Sequence, residues 1–113
     1  MEENLFRGER VLITGASGGL GAEFARQLAQ AGAHVILVAR SKDKLETLAA
    51  ELKKQFAIQA HVFVSDLSLA ESPQLLFDAV KEKDLSVDLL INNAGLGAYG
   101  PFDVSEIRRV EEM

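Results

Sequence analysis

Three glycines, Gly15, Gly19 and Gly21, stand in the run "LITGASGGLGAEF" at residues 12–24, where an apolar stretch gives way to an amphipathic one. Glycine there allows a tight turn, a close approach of backbone to a phosphate, and close packing of a helix on a strand. A helix starting at such a turn aims its free amide hydrogens and positive dipole end at the anion, so no lysine is required. The chemistry implied is nucleotide binding through phosphate. A Walker-type loop is excluded, because no Gly-Lys-Ser or Gly-Lys-Thr follows.

Other constellations are excluded as readily. The net charge is -5 over 113 residues, with acidic and basic side chains interleaved. No basic face suggests nucleic acid, and no polybasic segment suggests an anionic membrane. Cysteine is absent, which removes disulfides and thiolate metal sites. His34 and His61 are the two histidines and have no carboxylates at ligand spacing, so no metal site is expected. Both are expected near strand starts. The N-terminal "MEENLFRGER" lacks the basic start and apolar stretch of a secretory signal, and no apolar run approaches membrane-spanning length. A soluble cytoplasmic protein is the expectation.

The elements that must position the glycines alternate along the chain. Val11 to Ile13 reads as a short buried strand. Leu20, Phe24 and Leu28 recur every fourth residue and predict the buried side of a helix that Gly32 ends. "HVILVA" is a second buried strand. Asp43 and Glu46 have capping-box spacing ahead of the stripe Leu45, Leu48, Ala49, Leu52 and Phe56. "HVFVSD" predicts a third strand, and Ser72 with Pro73 the cap and first position of a third helix that buries Leu75, Leu76, Ala79 and Val80. "VDLLIN" is a fourth strand and "NAGLGAYGP" a loop. Asp103 and Glu106 would cap a last helix carrying Arg108 and Arg109 on its exposed face. This β-α-β-α order predicts an α/β fold: a Rossmann-like, doubly wound parallel sheet of about four strands in the order 3-2-1-4, with helices on both faces.

"TGASGGLG", an aspartate closing the third strand and "NNAG" closing the fourth together resemble the short-chain dehydrogenase/reductase family of nicotinamide-dependent oxidoreductases. The resemblance covers nearly the whole chain and implies that residues 1–113 are the N-terminal part of one dinucleotide-binding Rossmann domain. It implies that Gly15, Ser17, Gly18, Gly19, Leu20 and Gly21 surround the phosphates and adenosine ribose. Asp66 would accept a hydrogen bond from the adenine amino group, with the backbone of Leu67 beside it. Asn93, Ala94 and Gly95 would lie against the nicotinamide-side ribose, while Asn92 braces the strand.

The end of the second strand speaks to the choice of cofactor. Dinucleotide folds that prefer NAD carry an acidic residue there for the ribose 2′-hydroxyl. This chain has Ala39, then Arg40 and Ser41. A guanidinium grips a 2′-phosphate with charge-assisted hydrogen bonds, so NADP is expected over NAD, with Ser17 as a second donor. Many NADP-preferring members carry a basic residue where this chain has Gly18, which leaves the discrimination to Arg40. Lys42 and Lys44 add background positive potential.

Proton transfer is another matter. In the family the acid is a tyrosine four residues before a lysine, and Tyr99 is followed at that spacing by Asp103. Tyr99 is therefore read as a loop or substrate-side contact. The family's catalytic asparagine, serine, tyrosine and lysine lie beyond the matched region, so no catalytic residue is assigned. Two readings follow. One is a fragment of an NADP-dependent reductase acting on a small alcohol or carbonyl substrate. The other is a non-catalytic dinucleotide-binding module that completes its fold with a partner. In either, the apolar fourth strand would form an unpaired sheet edge open to self-association.

Overall fold

Val11, Leu12 and Ile13 are all fully buried, as a strand covered on both faces requires. They lie in β1 (Arg10–Thr14), the centre of a sheet seen in a computed structural model that describes residues 6–66, 72–93 and 107–109. The elements that follow are α1 (Gly19–Gln30), β2 (His34–Ala39), α2 (Lys42–Phe56), β3 (Ala60–Val64), α3 (Ser72–Glu82), β4 (Leu89–Ile91) and β5 (Ile107–Arg109). The strand order is β3-β2-β1-β4-β5. β1 pairs in parallel with β2 and β4, and β2 in parallel with β3. The expected order 3-2-1-4 is thus present, and a fifth strand extends it.

Strand alternation divides the core in two. Val11, Ile13, Val35, Leu37 and Ala39 pack with residues of α1 and α2 on one face. Leu12, Ile36 and Val38 pack with Leu76, Val80 and Val87 on the other, beneath α3. Both faces of β1 and β2 are covered, which is why their sequences are continuously apolar. Among the described residues no helix is long and apolar enough to cross a membrane.

Four local expectations are corrected. α1 buries the expected stripe only in part: Leu28 is buried and Phe24 half-buried against the core, but Leu20 is 45% exposed, and the small residues Ala22, Ala25 and Ala29 fill the rest of the contact. The start of α1 is drawn so close to β1 that methyl-sized side chains fill the contact. α2 begins at Lys42 with Ser41 at its N-cap, so Asp43 is not the cap; it sits inside the first turn, where its charge favours the helix dipole. α3 already includes Ser72 and leaves Leu75 63% exposed, because it meets the sheet along the narrow line of Leu76 and Val80.

The fourth correction concerns the chain after β4. Arg108 and Arg109 lie in a strand, not on a helix, and β5 runs antiparallel to β4 with Ile107 opposite Ile91 and Arg109 opposite Leu89. Pairing satisfies the backbone groups that β4 would otherwise leave open, a gain that a short helix touching nothing would not provide. β4 is therefore interior, and the expected route to self-association through its edge loses its premise. Asp103 and Glu106, expected as a cap, lie outside the described residues.

Candidate functional site

All four parallel strands end on the same side of the sheet, so the residues that leave β1, β2, β3 and β4 gather along one edge. Gly15 turns the chain off β1 with φ +64, a conformation that favours glycine. The amide of Ala16 then donates to Val38 O at 3.1 Å, which ties the turn to the end of β2. The amide of Ser65 donates to Ala39 O at 2.9 Å and does the same for β3. Asp66, half-buried, follows directly.

α1 starts above this edge. Gly18 is its N-cap, in extended conformation, with no side-chain capping bond and no acidic residue in the first turn. The first amides of a helix have no intrahelical acceptor, so those of α1 present hydrogens and a positive dipole end where the strands terminate. A Cβ on Gly18 or Gly19 would meet nothing within 4 Å, and both residues are exposed, so the space in front of the turn is open. Gly21 is different: a Cβ there would overlap Gly15 O and come within 2.8 Å of Asn93 Nδ2. Glycine at 21 is what lets the helix lie this close to the turn.

A buried polar group joins the turn to β4. Thr14, 3% exposed, accepts the amide of Asn93 at 2.8 Å and donates to Asn92 Oδ1 at 3.0 Å, with Ile91 O at 3.4 Å. Asn93 Nδ2 donates to Gly15 O at 3.3 Å. Asn92 braces the strand as expected, and Asn93 braces the glycine turn with one side of its carboxamide. Thr14 is the residue missed by the sequence reading. Its signal was a lone hydroxyl closing an otherwise apolar strand, which has to find partners once buried.

Arg40 is exposed at the end of β2, on the same edge as the glycine turn. Neither it nor Ser17 has a side-chain hydrogen bond or ion pair with the described residues; the ion pairs seen there join Arg26 to Glu23 and Glu51, on α1 and α2. Gly15, Ser17, Gly18, Gly19, Leu20, Gly21, Arg40, Asp66 and Asn93 thus share one edge. Leu67, Ala94, Gly95 and Tyr99 lie outside the described residues. No group of three His, Asp or Glu residues among the described ones could hold a metal ion. An uncapped helix start, an open space and a guanidinium unpaired among the described residues fit the phosphates of a dinucleotide.

Comparison with known proteins places the same features in context. Residues 9–113 match the family described as short chain dehydrogenase. Hydroxysteroid 11-beta-dehydrogenase 1-like protein B of Xenopus laevis is 38% identical over 104 residues, 90% of this chain and 36% of that protein. Fatty acyl-CoA reductase of Acinetobacter baylyi is 43% identical over 97 residues, 82% of this chain and 32% of that protein. The chain therefore spans about a third of the length of the curated relatives it matches. Among solved structures, L-sorbose reductase of Gluconobacter frateurii, complexed with NADPH and L-sorbose, superposes with a TM-score of 0.77 at 33% identity, over 83% of this chain and 36% of that one.

Proposed function

The chain belongs to the short chain dehydrogenase family, and from that premise we propose that it forms the NADP-holding part of an oxidoreductase acting on an alcohol or carbonyl substrate. The observation that carries the choice of NADP is Arg40, exposed and without an ion-pair partner among the described residues, at the end of β2 where an acidic residue would select NAD. The NADPH complex of L-sorbose reductase supports the same reading. The relatives' names cover a steroid, an acyl-CoA and a sugar, which supports the shared carbonyl chemistry and no single substrate.

In this reading each group has a task. The first amides of α1 and the Gly15–Gly19 turn hold the pyrophosphate; Arg40 and Ser17 hold the 2′-phosphate; Asp66 receives the adenine amino group. Asn93 keeps Oδ1 for the nicotinamide-side ribose while its Nδ2 steadies Gly15. The bound nicotinamide supplies or accepts hydride. The chain's own contribution is to bind and orient.

The test is the affinity of Arg40→Ala for the two cofactors, measured by calorimetric titration. A charge-assisted hydrogen bond contributes about 1.5–3 kcal/mol, so NADPH affinity should fall at least about tenfold and NADH affinity by less than about twofold. Equal losses would remove Arg40 from the 2′-phosphate.

A further inference from the structure

The opposite end of the sheet carries a polar row that cofactor binding does not use. Arg10 stands opposite His34 in the β1–β2 register. Continuing the adjacent registers by one residue puts Gln59 opposite His34 and Asp88 opposite Arg10. Gln59, His34, Arg10 and Asp88 therefore form one line across the bases of four strands. By alternation from Leu12 and Ile36, the line lies on the α3 face.

The line is bonded along its length. The amide of Arg10 donates to Asp88 Oδ2 at 2.8 Å, and the amide of Asp88 to Arg10 O at 2.8 Å. The guanidinium donates to Ser86 Oγ at 3.2 Å, to Ser86 O at 3.3 Å and to Gln59 Oε1 at 3.1 Å. His61 Nε2 lies 3.5 Å from the same Oε1. At the edge strand the contact is of another kind: the amide of Gln59 donates to His34 Nδ1 at 2.9 Å. A ring nitrogen accepts a hydrogen bond only while it carries no proton.

We propose that His34 is a proton-operated latch on the entry to β3: its neutral imidazole holds the Gln59 amide, and protonation releases it. Among the described residues β3 is the edge of the sheet, with no further strand beside its base. Gln59 O accepts the amide of Val35 at 3.0 Å, and that bond loosens with the latch. The groups that act on the neighbouring His61 are positive. Arg10 comes from β1, His61 from β3, Lys53 from α2 and Lys83 from the end of α3; Asp88 and Glu9 are the nearby acids, and Glu9 O accepts the His34 amide at 2.8 Å. Burial first, then Arg10, Lys53, Lys83 and His34, hold the neighbouring His61 below the usual imidazole range. The far end of β3 stays joined through the Ser65 amide and Ala39 O, so opening is confined to the base.

Amide hydrogen exchange of the full chain, read as protection factors at pH 7.5 and 5.5, tests the latch. Protection of Gln59 and Val35 should fall several-fold at the lower pH, because a protonated Nδ1 no longer accepts, while Ser65 keeps its protection. His34→Gln supplies an acceptor that does not titrate and should abolish the response; His61→Gln should retain it. Equal protection of Gln59 and Val35 at both pH values in the wild type would overturn the proposal. So would a full response in His34→Gln, or its loss in His61→Gln.

Discussion

The main-chain amide of Asn93 donates to the hydroxyl of Thr14 at 2.8 Å, one residue beyond the last paired rung on β1 and two beyond it on β4. A side chain thus continues the sheet after its backbone ladder has stopped, and it holds the glycine turn and the loop after β4 at a set separation. Thr14→Val keeps the shape and removes both the acceptor for Asn93 and the donor to Asn92. Leaving a buried donor unmatched costs about 1–3 kcal/mol. Urea unfolding should show a loss of that size for Thr14→Val, with weaker NADPH binding, and near-recovery in Thr14→Ser.

Alanine should be costly at Gly21 and tolerated at Gly18. At position 21 the new Cβ overlaps Gly15 O, a backbone atom that cannot swing aside, so helix and turn must separate. Overpacking of this kind costs about 1–3 kcal/mol. Gly18 is extended, with φ -175, and open. Gly18→Ala should stay within about 0.5 kcal/mol of wild type, as thermal unfolding of the two variants would show.

The buried face of α1 gives a third contrast. Ala25 is fully buried against the sheet, and Leu20 is 45% exposed. Ala25→Leu should destabilise by about 1–3 kcal/mol, whereas Leu20→Ala should change stability by less than about 0.5 kcal/mol. Chemical denaturation midpoints decide the matter; a larger loss at Leu20 would place the stripe of large residues back in the core.

Stability should also fall on mild acidification. His61 titrates below its ordinary value of 6.5 in the folded chain, owing to burial and then to Arg10, Lys53, Lys83 and His34. The unfolded chain then binds the proton more readily, so stability rises with pH in this range. The His61 contribution is intact above pH 6.5 and is lost as pH falls below it, through the folded pKa. A melting temperature followed from pH 7.5 to 5.5 should drop, and His61→Gln should flatten the drop.

Much of this was legible in the residues. Apolar runs bounded by glycine or polar residues marked β1 and β2, since strands buried on both faces leave no alternation to mislead. The glycine run marked the turn from β1 into α1, because Gly15, Gly19 and Gly21 each answer a backbone need that no other side chain meets as well. Other features were hidden for a common reason. Leu20 and Leu75 fit the helical period but stay exposed, because periodicity finds an apolar stripe without saying how closely the helix approaches the sheet.

What the sequence by itself determined, then, is the order of strands and helices as far as β4, the family, and the glycine turn between β1 and α1. These follow from local period, turn chemistry and motif, which act over a few residues. The tertiary structure decided which small residues of α1 touch the sheet, that β5 covers β4, and that Thr14 links Asn92 and Asn93 to the turn. It also set Gln59 against His34 across two strands. Each of these depends on partners distant along the chain, and distance along the chain is the one thing that local pattern does not encode.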